Sequence, residues 1–449
     1  MMYLLIGYMF LFIHRPFEVW PLLGKIQLER VYVLITLISW FFYPRKVWIR
    51  SLHTPAFIFF ILAMVLSYLV SPYPDTGWFV LDKYLKQSVF YFLVLSTVSD
   101  AQMLRKLLIG FLVVMGIYLT HSYKEYRNGR HQYRMGIVRM IGVDETSGEP
   151  NAFGATIVYA LPLTVPFWRE ASRLATRKKR LAARLLLVYL TLLSLLCVLA
   201  TGSRQAFVGL VVLGVYVLLL SKRRLKNIVL LTVLAPAAWY TMPESMQNRY
   251  LTLIDPSYGP KNAQESAEGR THGLYDGIEL WEKSPVTGFG PGSHAQASGV
   301  GFQAHNLYGQ VLGELGTFGA VAFACVVLSF FVNACKTWAL TRGVKTPDSL
   351  FPRDVSMAVI LVISIMLLFG NGSHSLYRYT WMWLAAFQSV AIHCLREEKK
   401  KQTMNSAQRL AETGPASCRV EGSDGFSVES RVKFLQTPWV GPGSGLAVE

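Results

Sequence analysis

Residues 185–220 form an almost unbroken apolar run bounded by positive charge. As one helix the run would be about 54 Å long, against a hydrocarbon core of roughly 30 Å. Arg173, Arg177, Lys178, Lys179, Arg180 and Arg184 precede it, and Lys222, Arg223, Arg224 and Lys226 follow it. Clusters of Lys and Arg stay on the cytoplasmic side of a membrane, so both ends of the run belong there. The chain must reverse in between, and Thr201-Gly202-Ser203-Arg204 is the one polar break. Length and charge together thus place Arg204 at the outer face.

The same reasoning extends along the chain. Apolar segments fall near residues 1–13, 31–43, 55–70, 79–98, 104–120, 152–168, 185–200, 205–220, 227–242, 306–334, 355–369 and 377–395. Basic linkers recur after every second segment, among them Arg45/Lys46/Arg50, Arg105/Lys106, Lys336 to Arg353, and Arg396 with Lys399 to Lys401. The expected fold is an all-α integral membrane protein of about twelve spans with both termini in the cytoplasm. Met1 to Ile13 lacks a basic n-region and an Ala-x-Ala site, so it reads as a short first span rather than a cleavable signal.

Composition agrees. Of 449 residues, 52% are hydrophobic and 16% charged, where soluble proteins carry about 25% charged residues. The net charge of +17 follows from the basic loops. Nucleic-acid binding is disfavoured because no aromatics interleave those charges. The cysteines at 197, 325, 335, 394 and 418 have no C-x-x-C spacing, which indicates neither a disulfide framework nor a metal cluster.

Two outer segments are long, about residues 121–151 and 243–304, and long loops usually carry function or disorder. The first holds Lys124, Arg127, Arg130, Arg134 and Arg139, against the positive-inside trend. Either these bind an anion, Arg139 serving as an accessory group, or the segment is a solvated amphipathic surface helix. The polytopic domain is read as residues 1–401. The stretch 402–449 is rich in Gly, Ser, Pro and Glu and reads as a disordered cytoplasmic tail.

In the second long segment a helix is expected from Ser266 to just before Pro285. Leu274, Ile278 and Trp281 form an i, i+4, i+7 stripe with Arg270 one turn upstream, a pattern suited to lying on a membrane surface. Arg270 then sits at headgroup height, as a phosphate ligand or as a snorkelling anchor. Gly288, Gly290 and Gly292 lack the strand and lysine of a nucleotide loop; they allow a tight turn close to the bilayer. His305 is placed at the first turn of a long span, where a polar side chain needs a partner or a task. Asn306 is a cap for that helix or an orienting group for His305, capping being favoured. Glu314 lies more than two turns further on and reads as structural.

The order of these motifs carries a resemblance. TGSR at 201–204, Arg270 with Trp281 and Pro285, GFGPGS at 288–293 and AHNLYGQVLGELGTFG at 304–319 resemble the O-antigen ligase and polymerase superfamily across about 190–395. Glu149-Pro-Asn-Ala-Phe153 is similar to a further family element. The short first span, the modest outer loop and the tail after 401 depart from the pattern. The resemblance implies a metal-independent, cofactor-free, inverting glycosyltransferase in the bacterial inner membrane. It implies transfer of a glycan from undecaprenyl diphosphate to a lipid A core, polysaccharide or protein acceptor on the periplasmic side. Arg204 and Arg270 correspond to the family's diphosphate-binding arginines and His305 to its essential histidine.

The residues suit those roles. Fixed guanidiniums stabilise negative charge on a departing diphosphate, and a neutral histidine is available as a base near pH 7. Two other classes fit a polytopic chain. A transporter of a small anion or lipid-linked saccharide calls for mid-membrane charges and broken helices in repeated halves; here only Asp82, Lys83 and Lys86 interrupt a span, near its outer end. A structural partner in an export complex would tolerate replacement of the outer arginines.

Overall fold

The computed structural model describes residues 1–134, 136–145, 148–220, 224–258, 261–342 and 346–412. Contacts divide the chain into two units, Met1–Lys400 and Lys401–Glu449. The chain opens with α1 (Met2–Ile13), two short turns α2 (Pro16–Val19) and α3 (Pro21–Lys25), and α4 (Leu28–Phe41). Three long helices follow: α5 (His53–Leu69), α6 (Pro74–Thr97) and α7 (Ala101–Arg127). A two-stranded antiparallel hairpin, β1 (His131–Arg134) and β2 (Ile137–Met140), pairs His131 with Met140.

The next apolar segment is interrupted. It runs as α8 (Pro150–Ala160), a 3-10 turn (Leu161–Thr164) containing Pro162, and α9 (Val165–Arg173). Then come α10 (Arg177–Thr201), α11 (Arg204–Leu220), α12 (Arg224–Tyr240) and α13 (Glu244–Leu251). The amphipathic α14 (Lys261–Lys283) and the short α15 (His294–Ala297) lead into α16 (Leu307–Thr341), α17 (Pro347–Gly370) and α18 (Thr380–Glu412).

Each of the twelve apolar segments lies on helix. Among the described residues, four helices are long and apolar enough to cross a membrane on length and composition: Ala101–Arg127, Arg177–Ala200, Leu307–Thr341 and Asp348–Gly370. Met2–Ile13, His53–Leu69 and Arg204–Leu219 are apolar but shorter. The reversal expected within 185–220 falls at Gly202, which ends α10 in the left-handed conformation (φ 57°).

Two expectations are corrected. The segment 121–151 is not a surface helix: α7 continues to Arg127 and the chain then forms the β-hairpin. The stretch after 401 is not disordered from its start, because α18 continues to Glu412; residues 413–449 lie outside the described residues.

A large buried core of Leu, Phe, Tyr and Val joins most of these helices, with Phe90, Phe153, Phe330, Phe351 and Trp381 almost wholly enclosed. At one end of the bundle, Arg105 pairs with Glu170 at 2.9 Å and Arg169 pairs with Asp354. These ties join the starts of α7 and α17 to α9. The opposite end collects the α5–α6 turn, the α10–α11 turn and the α17–α18 loop, and it holds the polar cluster described next.

Candidate active site

The cluster depends on a break in α16. Gly316 takes φ 61° and ψ −163° inside the helix, a region open essentially to glycine alone. The helical bonds from 317 to 313 and from 318 to 314 are thereby lost. The Pro285–Gly290 loop replaces both. Phe289 and Gly290 donate to the carbonyls of Gly313 (3.0 Å) and Glu314 (2.9 Å), while the amides of Thr317 and Phe318 reach those of Pro285 (2.8 Å) and Val286 (3.1 Å). Every backbone group freed by the break is satisfied, as buried backbone requires. Gly288, Gly290 and Gly292 all have positive φ, and a Cβ on Gly288 would lie 2.4 Å from the Glu314 backbone.

Glu314 ties this loop to two others. Its fully buried carboxylate accepts the Gly292 N–H at 2.7 Å and the Tyr377 hydroxyl at 2.7 Å, and Gln310 donates at 3.4 Å. Its carbonyl accepts Ser67 Oγ from α5 at 2.8 Å. A mid-helix carboxylate thus fixes the GFGPGS loop and the α17–α18 loop.

α14 lies along the first half of α16, and glycine makes the approach possible. A Cβ on Gly277 would fall 2.3 Å from the Gly309 carbonyl oxygen, and one on Gly273 would fall 3.2 Å from the His305 amide. The packed face of α14 is therefore Gly273, Gly277 and Leu280, all buried. Leu274, Ile278 and Trp281, expected as the apolar stripe, are half-buried, and Trp281 Nε1 donates to Thr317 Oγ1 at 2.9 Å. Arg270 lies in α14 one turn before Gly273, so its backbone is a single turn from His305; its side chain is outside the described residues.

His305 differs from expectation. It precedes the helix and is exposed, not buried in the first turn of a span. The helix cap is Asn306, whose Oδ1 accepts the amides of Tyr308 (3.0 Å) and Gly309 (3.1 Å). Asn306 therefore spends its side-chain oxygen on α16, and His305 just before it is exposed. The ring of His374 lies against His305, centroids 5.4 Å apart. His374 keeps open surface although protein crowds around it. That surrounding lowers it to about 4, through loss of solvation first and then the charges on His305 and Arg378. Burial also lowers His294, across the cleft.

Arg204 begins α11, is 9% exposed and donates to Thr252 Oγ1 at 3.2 Å. A guanidinium at a helix N-terminus adds to the positive end of the helix dipole. Its neighbour Gln205 donates to the Phe369 carbonyl at 2.7 Å. Tyr308 donates to the Leu367 carbonyl at 2.8 Å, and Leu307 packs under Gly370. The end of α17 therefore joins the Arg204 turn to the His305 turn.

Arg139 serves the protein. Its Nε donates to the Thr201 carbonyl at 2.8 Å and its Nη2 to Asn151 Oδ1 at 2.9 Å, and it is 3% exposed. Arg249 caps the next carbonyl, Gly202, at 2.6 Å. Two arginines thus close the C-terminus of α10, where carbonyls and dipole both favour cations. Lys124 and Arg127 end α7, Arg130 donates to the Val143 carbonyl at 2.7 Å, and the Arg134 side chain is outside the described residues.

Sequence reasoning missed His374, the Tyr377–Glu314 bond, Arg249 and the glycine face of α14. The G-x-x-x-G spacings at 273–277 and 309–313 are signals that could have found the last. Among the described residues, no group of three or more His, Cys, Asp or Glu is arranged to hold a metal ion. The arrangement offers an exposed imidazole, a buried guanidinium at a helix start and a loop platform, held together at one end of an apolar bundle. No curated protein matches the chain. The O-antigen ligase family model matches residues 189–324, from the second half of α10 to the middle of α16, and this match to the stretch carrying Arg204, Arg270 and His305 supports the O-antigen ligase and polymerase superfamily.

Proposed function

We propose that the chain is a multi-pass glycosyltransferase that moves a glycan from undecaprenyl diphosphate to an acceptor hydroxyl at the outer face of the bacterial inner membrane. The observation that supports this reading is the family match over 189–324, a stretch that includes Arg204, Arg270 and His305, with the Arg204 and His305 turns both bonded to the end of α17. His305 takes the acceptor proton as the acceptor oxygen attacks the anomeric carbon from the side opposite the diphosphate. Arg204 and Arg270 bind the departing diphosphate, whose charge grows as the bond breaks. Direct displacement inverts the anomeric centre. The acceptor is a lipid A core, a growing polysaccharide or a protein. Twelve spans, cytoplasmic termini and a periplasmic cleft complete the topology.

The break at Gly316 gives the transporter reading one specific point in its favour, since discontinuous helices form transport sites. Here the backbone groups freed by the break are bonded to residues 285–290, so none lines an ion path. In cells, His305→Ala and Arg204→Ala are expected to abolish surface glycan by at least about 100-fold, the scale of a lost general base or fixed charge. Both variants should still reach the membrane at normal levels, read by fractionation and blotting. Normal surface glycan in the His305→Ala strain would remove the histidine from the mechanism.

A further inference from the structure

His374 was not among the residues that the sequence motifs single out, yet it is the side chain whose ring lies against His305. The loop that carries it is pinned on every side. Ser373 Oγ donates to the Phe369 carbonyl at 3.0 Å, and the Ser375 carbonyl accepts Trp381 Nε1 at 2.9 Å. Tyr377 holds Glu314, and Arg378 Nη2 donates to Thr156 Oγ1 at 3.3 Å. A loop held this firmly keeps the His374 ring beside that of His305. Its own nitrogens make no hydrogen bond to a described residue, so they remain available.

The spacing is close to that of a bonded pair. Elsewhere in the same molecule, His14 Nε2 and His121 Nδ1 are 2.9 Å apart with ring centroids separated by 5.1 Å. His305 and His374 have a similar centroid separation, 5.4 Å, with the rings tilted by 55° to each other.

We propose that His374 is a positioning residue for His305: its imidazole accepts the His305 N–H that points away from the acceptor, which keeps the other His305 nitrogen unprotonated and aimed at the hydroxyl. The inference rests on His305 being the base. In the step, the acceptor proton passes to that nitrogen as the acceptor oxygen bonds the anomeric carbon. The anomeric C–O bond breaks and its electron pair stays on the diphosphate. The His305 imidazolium later returns its proton to water in the open cleft, and His374 gains none. A neutral partner suits this role, because a second imidazolium would repel the first. Loss of solvation first, and then the charges on His305 and Arg378, favour the neutral form of His374. His294 is also within electrostatic reach of His305, and Asp276 of α14 within reach of His294.

The test uses the full chain in detergent with an undecaprenyl-diphosphate-linked oligosaccharide as donor. His374→Ala should lower kcat about 10- to 100-fold, part of the roughly 10²–10⁴-fold that a general base supplies, with KM for the donor within about twofold. A hydrogen bond to the charged form raises a histidine's proton affinity, so the acid limb of kcat should move to lower pH in the Ala variant. His374→Gln keeps a carbonyl acceptor and should recover most of the rate and the limb. Wild-type kcat and an unmoved limb in both variants would overturn the proposal, as would a rate loss that Gln does not rescue with the limb unmoved. If His374→Ala fails to fold, His374→Leu, which also lacks an acceptor, takes its place beside Gln: loss in Leu with recovery in Gln supports the acceptor role, and equal values in the two oppose it. Inactive wild-type protein would instead defeat the glycosyltransferase reading, whereas active wild type, inactive His305→Ala and indifferent His374 variants would defeat this inference alone.

Discussion

Glu314 bonds to Gly292, Tyr377 and Gln310, and so decides whether two loops stand where the cleft needs them. Replacing it with Leu leaves the Gly292 N–H and the Tyr377 hydroxyl without their acceptor inside the protein, at about 1–3 kcal/mol each. Glu314→Leu should therefore lower the thermal midpoint in detergent by several degrees, and Glu314→Gln, which retains an oxygen, should lower it less. Equal midpoints for Leu and wild type would mean that the loops are held elsewhere. Arg139 makes the same point about charge. Its position on the outer side suggested an anion ligand, but its donors close the end of α10 and reach Asn151. A carbonyl at a helix terminus competes for a guanidinium as effectively as a ligand does.

At the scale of elements, α14 and the first half of α16 meet through backbone, and the chemistry depends on that contact. Gly277→Val places side-chain carbon where the Gly309 carbonyl oxygen already lies, 2.3 Å from the Cβ position. We expect destabilisation of about 1–3 kcal/mol or more, read by thermal unfolding, together with loss of glycan transfer although no polar group has changed. Gly269→Ala, whose Cβ would meet nothing within 4 Å, should be neutral; equal effects from both would show that the contact is not what matters. These helices also mark where sequence was informative. Hydropathy blocks located the helical segments because burial in lipid leaves a continuous apolar signature, and the 201–204 reversal followed from length and charge. The glycine face of α14 was missed because glycines carry no hydrophobic signal. The break at Gly316 was illegible because its cause, the Pro285–Gly290 loop, is a tertiary partner. His374 was missed because the fold, and no motif, brings it to His305.

At the scale of the molecule, the two ends of the bundle differ in kind. One end carries ion pairs that tie α7, α9 and α17 together, with the basic clusters before α10 nearby. The other gathers the turns that hold Arg204, His305, His374 and the α14 glycines. That polarity fits an enzyme whose donor arrives in the lipid and whose acceptor arrives from the aqueous side. Among the described residues, four helices are long and apolar enough to cross a membrane; the proposed twelve spans would put both termini with the basic end. The central claim is that the cleft transfers a glycan, and it is tested most directly with purified protein, an undecaprenyl-diphosphate-linked oligosaccharide and mass analysis of the acceptor. Wild type should yield an acceptor heavier by the oligosaccharide with release of undecaprenyl diphosphate, and His305→Ala should yield neither. Transfer by the His305→Ala protein at the wild-type rate would contradict the account.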